Sequence, residues 1–160
     1  MKKILMIMGA ATALVLTGCA TRPVSMAPVG PNPARVAAGA GDGQLEVFSA
    51  LSGRSEGNNP TWRQHSDYYV FYSDGRRRKH VMNAPGYYST LPRLVTLRPG
   101  DYIVKARAKG ALWTTVPVII KPDEITRVHL DGNWQPGSTG ADVVMGPEGY
   151  PVGWKAGDQH

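Results

Sequence analysis

Few side chains in this 160-residue chain have the types and spacing for chemistry. The four histidines, His65, His80, His129 and His160, show no zinc-ligand pair spacing. His129 and Asp131 come nearest, two apart on one face of an expected strand. As a solvated pair at a strand end they need no ion. There is no Gly-x-Ser-x-Gly elbow and no glycine-rich phosphate loop. Asp74, Asp101, Asp123 and Asp131 stand where turns and caps use carboxylates. The sequence therefore reads as non-enzymatic, with no catalytic residue, no metal and no cofactor to assign. Two other groups have binding chemistry. Arg76-Arg77-Arg78-Lys79 beside a hairpin turn can offer bidentate donors to phosphate or carboxylate, or serve only to charge a sheet edge against pairing. Trp62, Trp113 and Trp134, with Tyr87-Tyr88, lie in or beside loops. Such rings stack on sugars, anchor a partner, or seal the ends of a core.

The elements that would carry these groups are short strands. Leu45, Val47 and Ser49 alternate with Gln44 and Glu46, a half-buried first strand. Gly57-Asn58-Asn59-Pro60 breaks residues 53–63 into a polar loop. An aromatic run at residues 67–72 meets Asp74-Gly75, a hairpin turn signal, and residues 77–82 return. Leu94 to Leu97 runs into the turn Arg98-Pro99-Gly100-Asp101, which suits type II. Tyr102, Val104, Ala106 and Ala108 then alternate with Ile103, Lys105, Arg107 and Lys109, one core face and one largely charged face. Residues 114–120 form the next strand, where Pro117 argues for an edge or a bulge. Thr126, Val128 and Leu130 mark the last. About seven strands with turns between them predict an all-β fold, a single antiparallel β-sandwich.

Flanking this domain at residues 43–134 are segments of another character. Residues 1–18 have a Lys2-Lys3 head, an apolar run and small residues, the layout of a cleaved signal peptide. The run is shorter than the roughly 20 apolar residues of a membrane span. Its end, Leu16-Thr17-Gly18-Cys19, resembles the bacterial lipobox. That resemblance implies cleavage before Cys19, acylation of its thiol with diacylglycerol, and often acylation of the new amine with a further chain such as palmitate. Two or more chains hold a protein at a membrane, whereas one holds it only marginally. Cys19 is the sole cysteine, so lipidation also accounts for an otherwise odd thiol. Ala20 in place of an acidic residue favours the outer membrane by the same resemblance, facing the periplasm or the cell surface. Residues 19–42, with Pro23, Pro28, Pro31 and Pro33, read as a lipidated cysteine and an extended tether. Residues 135–160 read as a Gly/Pro-rich tail. In it Val143-Val144-Met145 and Val152-Gly153-Trp154 form a small hairpin, dock on the sandwich, or stay mobile. Loss of Lys2 and Lys3 with the leader takes the formal charge from +6 to +4. This favours anionic lipid, lipopolysaccharide or wall polymer as neighbours, and export argues against nucleic acid.

The stretch Leu97-Arg98-Pro99-Gly100-Asp101-Tyr102-Ile103-Val104, then Val116-Pro117-Val118, then Thr126-Arg127-Val128-His129-Leu130, resembles the C-terminal half of carboxypeptidase-regulatory-like, or transthyretin-like, domains. The resemblance implies a seven-stranded transthyretin-like or Ig-like sandwich and a mostly non-catalytic role as scaffold, stalk or contact module. The expectation is a lipid-anchored envelope protein binding peptidoglycan or a surface polysaccharide through Trp62, Trp113 and Trp134, with Arg76, Arg77, Arg78 and Lys79 assisting. The alternative is an interaction subunit docking on an envelope membrane complex, for which an exposed strand edge would serve.

Overall fold

The computed structural model describes residues 26–33, 39–54, 62–86, 89–137 and 142–157. The leader, Cys19, Tyr87 and Tyr88 lie outside these, and Arg54 and Trp62 are described by their backbone alone. Twelve strands and no helix occur among the described residues. They are β1 (Val29–Gly30), β2 (Gly43–Phe48), β3 (Leu51–Arg54), β4 (Trp62–His65), β5 (Tyr68–Tyr72), β6 (Arg77–Val81), β7 (Leu94–Leu97), β8 (Gly100–Arg107), β9 (Trp113–Ile120), β10 (Ile125–His129), β11 (Val143–Met145) and β12 (Pro151–Lys155). A seven-stranded sheet has the order β11-β12-β1-β9-β8-β5-β6. A three-stranded sheet has the order β10-β2-β7, and β3 with β4 forms a separate hairpin.

Period-two alternation builds the core. Leu45 and Val47 of β2, Val95 and Leu97 of β7, and Val128 of β10 are buried from the small sheet. Val70, Val104, Ala106, Val116 and Val118 are buried from the large one, in one continuous cluster. The arrangement is consistent with a β-sandwich. Thr126 Oγ1 donates to the Ile119 carbonyl at 2.7 Å, tying the two sheets together, while the buried hydroxyls of Ser66 and Tyr68 have no hydrogen-bond partner among the described residues.

The β5–β6 hairpin turns where Asp74-Gly75 stands. Gly75 sits at φ 86°, a conformation that glycine adopts without strain. The Asp74 carboxylate accepts from the Arg76 amide at 2.9 Å and from Arg76 Nε at 2.7 Å. These bonds, the backbone one foremost, hold the Asp74 carboxyl below its ordinary range.

Five expectations need correction. The sheets are mixed, not purely antiparallel: β10 runs parallel to β2 over five residue pairs, and β1 is parallel to β9 at Val29–Val118. The reason is that the turns at Pro99-Gly100 and Pro122-Asp123 are not hairpins. Each carries the chain from one sheet to the other. The strands number twelve against about seven, because the loop, tether and tail contribute strands of their own. Leu51–Arg54 and Trp62–His65 pair across what reads as a polar loop. The segment read as an extended tether enters the large sheet: β1 pairs with β12, Val29 opposite Lys155, and Val29 and Val152 are fully buried, while the tail forms the β11–β12 hairpin, one of the forms expected of it. Pro117, finally, lies on an interior strand by order. It is tolerated because β1 pairs with β9 at a single position, so no ladder there needs its missing N–H.

Candidate functional site: an aromatic and basic groove

Alternation also decides what the large sheet shows to solvent. Val70, Val104 and Val116 point into the core, so Tyr69, Lys105 and Thr115 point out. Register then sets outward residues side by side. Tyr69 stands opposite His80 on one flank and Lys105 on the other, and Arg107 stands opposite Trp113. Opposed side chains on one face lie within contact reach.

The rings gather accordingly. The Tyr69 centroid lies 4.8 Å from His80, 6.1 Å from Trp113 and 6.4 Å from Phe71. Cations lie over the same rings: Arg107 Cζ is 5.1 Å and Lys105 Nζ 6.0 Å from the Trp113 centroid, and Arg77 Cζ is 6.0 Å from that of Tyr69. Such contacts set the cations beside the rings; Arg107 Nη1 also donates to the Ala111 carbonyl at 3.1 Å, which leaves its other N–H groups for a ligand carboxylate.

The β3–β4 hairpin and the loop after β6 turn this face into a groove of about 870 Å³. Tyr69, His80, Arg107 and Trp113 line it from the sheet, and Ser52, Gln64, Asp67 and Met82 line it from the hairpin and connecting segments. The hairpin is held to the sheet by the backbone bond from Ala50 N to Arg107 O at 2.7 Å, and Ser66 N to Ala50 O at 3.0 Å closes its base. Gln64 Nε2 donates to the Gly86 carbonyl at 3.0 Å and closes the opposite wall.

Behind the groove lies a buried polar set. His65 Nδ1 is 2.6 Å from the Ser49 carbonyl. A carbonyl only accepts, so Nδ1 carries the proton. Asn83 Nδ2 donates to the Val47 carbonyl at 2.8 Å and to Ser49 Oγ at 3.1 Å. Asp67 Oδ1 accepts from the Asn83 amide at 3.1 Å, while its Oδ2 lies 3.4 Å from His80 Nε2. Asp67 thus joins the buried set to the groove floor.

A second aromatic cluster occupies the outer side of the small sheet. His129 is stacked between Phe48 at 4.5 Å and Trp134 at 4.7 Å, and Trp134 meets Trp154 edge-on at 5.4 Å. Burial there lowers the His129 pKa to about 4, outweighing the opposing pull of Asp131. His129 is therefore not the solvated strand-end group that its sequence position suggests. Asp131 accepts from the Asn133 side chain at 3.0 Å. No group of three His, Cys, Asp or Glu poised for a metal occurs among the described residues.

The residues singled out in the sequence are dispersed. Trp113 lines the groove, whereas Trp134 lines a separate recess of about 200 Å³ with Arg127 and Trp154. Trp62 begins β4 in the hairpin that forms the groove's wall. The Arg76–Lys79 run is divided. Arg77 faces Tyr69, while Arg76 and Arg78 lie 5.4 and 5.6 Å over the Tyr72 ring, and Lys79 is exposed. A bulge between Val70 and Phe71 adds to this by shifting the register. Tyr69, His80, Lys105 and Arg107 belong to the site without being marked as binding residues by the sequence. The signal for them was the outward phase of two alternating strands.

No family model matches this chain, nor does any curated protein or any solved structure. Function has to be argued from the groove and from the residues themselves.

Proposed function

We propose that this chain is a lipid-anchored, non-enzymatic protein of the cell envelope, its β domain a transthyretin-like sandwich that binds an acidic wall or surface polysaccharide in the Tyr69–Trp113 groove. The leader and Leu16-Thr17-Gly18-Cys19 support the anchor, with the outer membrane as its place. One observation carries the ligand: two rings 6.1 Å apart on an open face, bordered by Arg107 and Lys105. Ring faces stack on the apolar faces of pyranoses, and the cations select sugars bearing carboxylates. The groove, of about 870 Å³, is lined by residues that offer both donors and acceptors to sugar hydroxyls.

The test is co-sedimentation of the full-length processed protein with peptidoglycan sacculi at low and high salt. Tyr69→Ala and Trp113→Ala should each weaken binding about tenfold at either salt. Arg107→Ala should remove the salt-sensitive part. Binding that ignores all three substitutions would sink the groove as the site. The second reading, an interaction subunit of an envelope complex, is favoured by the open edge of β7, beside which Leu91 and Leu94 are exposed. Absence of sedimentation at both salts, with a protein crosslinked at β7, would replace the first reading by the second.

A further inference from the structure

Strand β1 limits how far the domain can stand from its anchor. Val29 is fully buried, and Met26 already packs against the core. Seven peptide steps remain between Cys19 and Met26. Whatever path they take, they reach no further than about 25 Å. The face around Met26 is thereby confined to the neighbourhood of any lipid carried by Cys19.

That face is apolar where it meets solvent. Met26 shares a recess of about 260 Å³ with Trp113, Thr115 and Met145. Leu112 is 63% exposed, Met145 53% and Trp113 47%. Trp113 and Met145 meet at the recess from two different hairpins, so their approach is a property of the fold and not of one sequence run, and Leu112 adjoins Trp113 in the turn before β9. Arg107 and Lys105 lie against the Trp113 ring at 5.1 and 6.0 Å.

We propose that Leu112, Trp113 and Met145 form a bilayer-docking surface, with which the domain lies down on the membrane that anchors it. This rests on the reading of Cys19 as lipidated. Tryptophan partitions to the headgroup level, where its N–H stays wet and its ring is shielded. Leu112 and Met145 enter the outer acyl region, and Arg107 and Lys105 meet anionic headgroups. A patch this small would bind free lipid weakly. Held within the reach of a short tether, it re-docks as an intramolecular event at high effective concentration. Trp113 is also on the rim of the sugar groove, so docking places the mouth of that groove beside the lipid surface. Leu112 and Met145 do not line the groove and separate the two roles.

The experiment uses the full-length acylated protein in phosphatidylethanolamine–phosphatidylglycerol vesicles containing brominated acyl chains, which quench tryptophan on contact. Quenching is expected, to be lost in Trp113→Phe and kept in Trp154→Phe. The double variant Leu112→Asp, Met145→Asp should lose most of it while still sedimenting with sacculi, which shows that it folds. Quenching that persists unchanged in Trp113→Phe overturns the docking surface. So does its absence from a protein whose Cys19 mass shows acyl chains, and in that case the anchor stands without the docking. A Cys19 mass without acyl chains removes the anchor and the docking together.

Discussion

Between the Phe48 and Trp134 rings, His129 is held at a pKa of about 4, well below the ordinary histidine value of 6.5, chiefly by burial. The consequence for stability has a definite sign. As pH falls below 6.5 the unfolded chain takes up a proton that the folded chain refuses, so stability declines between pH 6.5 and 4 and this group adds no slope above that window. His129→Phe preserves the stacking and removes the proton. Its unfolding free energy should therefore fall less than wild type's between pH 7 and 4.5, by on the order of 2 kcal/mol in denaturant titrations. An equal decline in both proteins would assign the slope to other groups. Burial also raises the Tyr68 hydroxyl pKa, with Glu46 adding to the shift. Neither effect was visible in the sequence. A histidine alternating with Val128 and Leu130 reads as outward, and the residues that cover it, Phe48 and Trp134, are 81 residues before it and 5 after it.

Asn83 acts at the scale of elements. It follows β6 and joins that strand's exit loop to β2, through the Val47 carbonyl and Ser49 Oγ, while its own carbonyls accept from the Arg93 amide at 2.8 and 3.1 Å. Those bonds position Met82 and the loop that walls the groove. Asn83→Ala leaves buried partners unpaired and should cost about 2–3 kcal/mol of stability. It should also weaken sacculus binding, measured on protein shown folded by circular dichroism. A full-affinity variant would mean that the loop holds its place without Asn83. Elements of this kind were unevenly legible. β8 was plain, because Tyr102, Val104 and Ala106 alternate with Ile103, Lys105 and Arg107 over eight residues. β1, β11 and β12 were not. A two-residue strand beside Pro28 and Pro31 has no period to read, and its partner lies more than a hundred residues away. The groove was illegible for the same reason. It is assembled from β3, β4, β5, β6, β8 and β9, whereas the charge run that stands out in the sequence is divided between two aromatic neighbours.

For the whole molecule, β1 works as a wedge between β12 and β9. Gly30 is required there by close approach: a Cβ at this position would lie 2.7 Å from the Ala156 Cα. A fragment beginning at Gly39 lacks the wedge. It should unfold at a lower denaturant midpoint than the full chain, by about 3 kcal/mol or more, since it loses a fully buried valine and leaves ladder groups on both sides unpaired. Equal midpoints would show that β9 and β12 close without β1. The same wedge sets a timetable. Ribosomes release a chain from its N-terminus, yet Val29 has no partner on one side until Lys155 has been made. The large sheet therefore cannot finish before Lys155 has been made. Until then β1 can meet only β9, and the sheet can grow only on that side.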